Sequence, residues 1–229
     1  MKPENVDRSI VTAFLGLHPR NLPKSLLQEN PIRSANDFDP NVYFTVLTHL
    51  GITPGYTLDY AYYFDGNGGH PCLYFRKAGE KQLGSFAEYT VWQKKNDLLS
   101  FMVTDDTPDG FFQLIVFRRL AGQFYLYWHA NYNDTRILTT AEDIEAIISS
   151  VSRDGFGTEF TEEQISALRT VNACPTVELS VNQASVTYCL FSRWGGLTRL
   201  RESYHRLPPH LMFSQQVLSR VEYLCNVDF

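Results

Sequence analysis

Between residues 56 and 130 the polarity of the chain alternates with a period of two, and that stretch limits the fold more than any other. Six runs, 56–64, 71–77, 85–92, 98–104, 111–119 and 123–130, are rich in aromatic and β-branched residues, which pack well on a pleated surface. The gaps between them carry turn residues. Asp65-Gly66-Asn67-Gly68-Gly69 is one gap and Ala78-Gly79 another, followed by 94–97, 105–110 and Ala121-Gly122. Short gaps join antiparallel neighbours, because a parallel pair needs a crossover of about a dozen or more residues. The expected fold class is α+β: an antiparallel β-meander of about six strands packed by two or three helices, with further C-terminal strands. The run 111–117, Phe-Phe-Gln-Leu-Ile-Val-Phe, is apolar on both faces, and its expected place is the centre of the sheet.

The flanks read differently. Residues 1–38 are punctuated by Pro3, Pro19, Pro23 and Pro31 and read as irregular, with a short helix at 24–29. A helix is expected at 40–50, with Asp39 as N-cap, Pro40 in its first turn, Gly51 at its end and Pro54 beyond. Two more are expected at 140–152 and 162–171. The second opens on a capping box, Thr161 with Gln164, and a hydrophobic staple, Phe160 with Ile165. Beyond residue 176, 177–180 and 185–191 read as strands. The segments 197–207 and 214–229 fit either a helix or a strand, and the mixture of Tyr with Thr, Val and Arg favours strands. No repeat or low-complexity linker divides the chain, so a single domain over 1–229 is expected.

Composition removes several classes of protein. Of 229 residues 44% are hydrophobic and the net charge is only -5, which is incompatible with intrinsic disorder. No apolar run reaches the length of a membrane-spanning helix. The apolar run 9–17 is preceded by Glu4 and Asp7 and followed by no small-x-small site, unlike a signal peptide. Cys72, Cys174, Cys189 and Cys225 form no C-x-x-C pair and read as small buried hydrophobes. The expectation is a cytoplasmic protein with free thiols and no membrane association. A pI near 5.7 argues against nucleic acid as a partner. The cations are unevenly typed: all six Lys lie at or before Lys95, and the ten basic residues after position 115 are all Arg.

Few motifs carry chemistry. Asp105-Asp106-x-x-Asp109 matches a magnesium-binding spelling, but Pro108 and Gly110 make it read as a hairpin turn. A calcium loop starting at Asp65 would place His70 and Arg76 where Gly and Glu are required. His70 and Cys72 share one strand face, yet two ligands make no metal site. Gly84-Ser85-Phe86 lacks the second glycine of a nucleophile elbow. No metal, no cofactor and no catalytic residue is therefore expected.

Two groups of residues stand out as ligand-binding candidates. Tyr125, Tyr127 and His129 alternate along one expected strand and would share a face of apolar bodies with polar tips. Arg199, Arg201 and His205 would share a face of 197–205 if that segment is a strand, and could clamp a carboxylate or phosphate. Two functions follow. The first is a non-enzymatic ligand- or partner-binding protein that uses a Tyr-, His- and Arg-lined sheet face. The alternative is a hydrolase or transferase acting on a small anionic substrate, with an Arg clamp and a His general base. The expected partners are a small anionic molecule or a protein, with a homodimer through an exposed strand edge as a further option.

Overall fold

A computed structural model of the chain describes residues 3–129, 134–153 and 158–223. The expected α+β class is what the chain adopts: helices mixed with antiparallel sheets. In chain order the elements are β1 (Glu4–Asn5), α1 (Ser9–Leu15), β2 (Leu50–Ile52), β3 (Tyr56–Phe64), β4 (Gly68–Lys77), α2 (Phe86–Gln93), β5 (Met102–Thr104) and α3 (Pro108–Leu120). They continue with β6 (Tyr127–Trp128), β7 (Arg136–Leu138), α4 (Ala141–Arg153), α5 (Glu162–Thr170), β8 (Thr176–Leu179), β9 (Gln183–Ser192), β10 (Gly196–His205) and β11 (Met212–Val221). Among the described residues the strands make three sheets. The largest runs β1-β8-β9-β10-β11, with β7 also paired to β9; β2 pairs with β5, and β3-β4-β6 form the third.

The tight hairpin at Asp65–Gly69 forms as read, with Tyr63 opposite His70. Asp65 accepts hydrogen bonds from the Asn67 and Gly68 amides and so closes the turn. After β4 the expected meander gives way to helices. Residues 85–92, expected as a strand, belong to α2. Ser85 caps it by accepting from the Glu88 amide, and Glu88 in turn accepts from the Gly84 amide. That Ser-x-x-Glu spacing is a helix start signal, and it outweighs the aromatic content of the segment. Residues 98–104 divide into a 3-10 turn, Leu98–Phe101, and the short β5.

The central run 111–119 is also a helix, α3. Thr107 caps it by accepting from the Gly110 amide, Pro108 occupies its first turn, and Asp109 sits at its positive end. The stretch 105–110 is thus a helix start and not a hairpin turn. Every residue from Gly110 to Phe117 is buried, because α3 packs against α1, β2, β5, β7, β8 and β9. A helix covered on all sides needs no polar face, so its sequence shows no 3.6-residue period. Expected strand 123–130 shrinks to β6, with Tyr125 at φ 51° and Trp128 at φ 46° breaking the extended backbone; residue 130 lies outside the described residues.

Asp39 and Pro40 start a helix as expected, but it is a 3-10 helix, Pro40–Thr45, and the chain then turns so that Leu50–Ile52 can pair with β5. The 1–38 segment is less irregular than its prolines suggest: Ser9–Leu15 is helical, with Ile10, Val11 and Phe14 buried. The short helix expected at 24–29 is a 3-10 turn over Lys24–Leu26. The capping box at Thr161 and Gln164 forms, with both hydrogen bonds in place. Of the segment 197–207, residues 197–205 are strand within β10 and 206–207 lie past its end, while 214–221 belongs to β11; Cys225 and the rest of 224–229 lie outside the described residues.

The middle strands of the large sheet are covered on both faces, whereas residues 213–220 of β11 are exposed. Ala184, Val186 and Tyr188 of β9, with Leu200 and Tyr204 of β10, join the main core around α3. Cys189, Phe191 and Leu197 point the other way into a second cluster with Ile144, Ile147 and Leu168 of α4 and α5. The β3–β4 hairpin packs under α2 on one face and supplies Leu58, Tyr60, Tyr62 and Phe75 to the main core with the other. Among the described residues no helix is long and apolar enough to cross a membrane.

Candidate functional site

The two expected ligand-binding groups lie in different sheets. Tyr125 is buried, and its hydroxyl accepts a hydrogen bond from the Phe38 amide at 3.3 Å while its carbonyl accepts from Tyr62 at 2.5 Å. It packs in the core and also lines a hollow of about 260 Å³ with Arg20 and Asp134. Tyr127 is half-buried and meets Phe64 edge to face at 5.5 Å. His129 donates its amide to the Asn67 carbonyl, and its ring stands perpendicular to Trp128 at 5.7 Å. Because Tyr125 and Trp128 have positive φ, these three side chains do not alternate along one strand.

Arg199, Arg201 and His205 do share a face of β10, opposite Cys189, Thr187 and Gln183 of β9. Arg201 is neutralised by Glu178 at 2.9 Å. The Arg199 Nε is buried with no hydrogen-bond partner. His205 is exposed and rests on Phe213 at 4.9 Å. None of the three lines the clefts described below.

The opposite face of β10 holds the densest charge network in the described residues. Glu202 is fully buried and is shared by two consecutive residues of α3. Arg118 Nη1 lies 2.6 Å from Glu202 Oε2, and Arg119 Nη2 donates to Oε1. Tyr204 donates its hydroxyl to the same carboxylate at 2.5 Å and accepts from Arg118 at 2.9 Å; Arg119 also donates to the Tyr188 hydroxyl at 2.9 Å. Burial alone would raise the Glu202 carboxyl, but Arg119, Tyr204 and Arg118 hold it below the usual carboxylate range. Burial, reinforced by Glu202, raises the Tyr204 phenol far above its ordinary value, so it stays a neutral donor. The unit contains two guanidiniums and one carboxylate. One positive charge is therefore unbalanced, and both Arg side chains remain about a quarter exposed.

Arg118 and Arg119 open onto different hollows. Arg118 forms one end of a cleft of about 450 Å³ between β4 and α2. Its floor is His70, Cys72 and Leu73 of β4, and Tyr89 and Trp92 of α2 make a wall, their rings stacked at 6.2 Å. β3 pairs with one edge of this part of β4, and on the other edge β6 reaches only Gly68 and Gly69 among the described residues. Burial lowers the His70 imidazole, which is neutral at physiological pH, and pushes the Cys72 thiol up to about 12. A thiol so protonated is no nucleophile. Asp97 stands at the rim, its carboxylate capping the 3-10 turn through the Leu99 amide.

A second carboxylate is held in the same manner. Asp59 is fully buried and accepts from Arg33 at 2.6 Å and Arg76 at 2.7 Å, with the Arg33 guanidinium 5.1 Å above the Tyr60 ring. This unit pins the 1–38 segment to the β3–β4 hairpin and lines none of the described clefts. On the surface, His49 Nδ1 and Asp105 Oδ2 are 2.7 Å apart. Among the described residues no group of three or more His, Cys, Asp or Glu could hold a metal ion. Cys72, Cys174 and Cys189 are free thiols.

The His70 and Cys72 pair was visible in the sequence as one strand face. Arg118, Arg119 and Glu202 were not, since 84 residues separate Arg118 from Glu202. Tyr89 and Trp92 fall on one side of the cleft only because 86–93 is helical, where a three-residue spacing is a shared face. No known protein family, curated protein or solved structure matches the chain.

Proposed function

We propose that the protein is a non-enzymatic binding protein whose ligand is a small aromatic anion, held in the cleft between α2 and β4. The observation that carries this reading is the unbalanced charge at Arg118: its buried carboxylate is shared with Arg119, and Arg118 lines the cleft. A carboxylate or phosphate is the natural partner for such a fork. Tyr89 and Trp92 offer ring faces beside it, and aromatic pairs prefer stacked or edge-to-face contact. His70, neutral at physiological pH, adds a hydrogen-bonding group without a second charge. The cleft combines apolar ring faces with several convergent polar groups, a combination that fixes a ligand's orientation.

The test is a thermal-shift and fluorescence titration with 1-naphthoate, phenyl phosphate and cyclohexanecarboxylate. The first two quench Trp92 fluorescence and stabilise the fold; at 100 times its dissociation constant a ligand adds about 2.7 kcal/mol. The cyclohexane acid, which cannot stack, binds at least several-fold more weakly. Tyr89→Ala weakens both aromatic probes. Equal affinity for all three, or no response to any, rejects the reading.

The hydrolase or transferase reading rests on one observation, that His70 and Arg118 line the same cleft. It requires turnover of p-nitrophenyl phosphate or acetate that His70→Gln abolishes. A pure binding protein leaves both esters intact.

A further inference from the structure

Arg119 faces a second hollow, on the α3 side of the large sheet. The groove measures about 230 Å³, and its floor is a set of cross-strand neighbours. Leu190 of β9 lies opposite Thr198 of β10, which lies opposite Arg220 of β11. One step along, Leu200 lies opposite Val217, and the next pair is Glu202 with Gln215. The groove floor therefore runs directly into the buried Glu202 that Arg119 and Arg118 share. Arg119 closes one side, and Arg220, whose Nε donates to Thr198 Oγ1 at 3.3 Å, stands on the edge strand at the other. Thr135 and Ser192 add hydroxyls. Among the described residues that line the groove there are two guanidiniums and no carboxylate.

We propose that this groove binds a phosphate group and that its occupancy weakens ligand binding in the α2–β4 cleft. Two Arg forks with hydroxyls around them match the several acceptor directions of a phosphate better than the single plane of a carboxylate. The link between the hollows is Glu202. A phosphate that engages Arg119 draws its hydrogen bonds away from the shared carboxylate. Glu202 then depends more on Arg118, whose charge becomes better balanced and less available to an anion in the cleft. Repulsion between the two anions acts in the same direction. The sign is negative, and linkage makes it mutual: a cleft ligand weakens phosphate by the same factor. The phosphate site stands on the groove alone; the antagonism rests on the cleft reading given above.

The experiment uses inorganic phosphate and 1-naphthoate on the full chain in chloride buffer at constant ionic strength. Calorimetric titration of phosphate should saturate with one site. Arg220→Ala should abolish it, as should Gln215→Glu, which places a carboxylate in the groove; both positions are exposed on β11, and near-native melting temperatures verify folding. Phosphate saturation should raise the dissociation constant for 1-naphthoate about five-fold or more, the lower range of measured couplings. In Arg220→Ala the naphthoate affinity should match that of the unmodified chain and ignore phosphate. Absent or unsaturable phosphate binding overturns the proposal, as does binding that both variants retain. Phosphate binding without a change in naphthoate affinity overturns the antagonism. If naphthoate fails to bind while phosphate still binds and both variants still abolish it, the cleft reading falls and the groove site is upheld.

Discussion

Arg118 Nη1 lies 2.6 Å from Glu202 Oε2, which joins the C-terminal half of α3 to the middle of β10 through a fully buried carboxylate. The second carboxylate oxygen belongs to Arg119. Every strong interaction of Glu202 is thus with a group that favours its charged form.

Removing the carboxylate strands two guanidiniums against the core. Glu202→Ala is expected to destabilise the fold by about 3–5 kcal/mol, the usual cost of breaking a buried ion pair from one side. Urea denaturation checks this through a lower midpoint at unchanged slope. The same group sets an acid limit. Its folded-state pKa lies below its ordinary value, so its contribution is present above the ordinary carboxylate range and is lost as the pH falls through the folded value.

His18 sets a second and milder acid limit. Burial lowers its imidazole to about 4, and its Nε2 is buried with no partner among Phe14, Tyr43 and Phe124. The unfolded chain takes up a proton near pH 6.5, whereas the folded chain does so only near 4. Stability is therefore complete above about pH 6.5 and falls as the pH drops toward 4. His18→Phe should remove that slope, worth about 1–2 kcal/mol between pH 7 and 5 once partial exposure is discounted. Parallel urea curves at the two pH values read the difference directly, and identical slopes for both proteins would contradict it.

Thr107 decides the start of α3. Thr107→Ala removes the hydroxyl that accepts from the Gly110 amide and is expected to cost about 1 kcal/mol. A strand at 111–119 would not respond to that loss, so a denaturation midpoint that does not move would count against the helix.

Gly196 permits the turn between β9 and β10. Its φ is +72°, and a Cβ there would meet the Val221 carbonyl oxygen at 2.1 Å. Gly196→Ala is expected to cost more than about 2 kcal/mol, because backbone strain adds to a clash with an unyielding atom. Gly79→Ala, also at positive φ but with nothing within 4 Å, should cost less. A thermal melt of the two variants ranks them.

The sequence by itself determined the features set by short-range chemistry. The Asp65–Gly69 turn, the Asp39 cap and the capping box at Thr161 and Gln164 all depend on hydrogen bonds within a few residues. The Ser85-x-x-Glu88 cap was equally legible, and only the weight given to Phe86, Tyr89 and Trp92 concealed it. The identity of 111–119 could not be read in this way. Phe111 to Phe117 is apolar apart from Gln113, and a run apolar on every side carries no clear period. Its helix follows from Thr107 at one end and from six packed elements around it. The candidate site belongs to the tertiary structure for the same reason. Arg118, Arg119 and Glu202 acquire a shared charge only when α3 is laid on β10, because the interaction of buried charges depends on distance and exclusion of water, and neither is written in the order of residues.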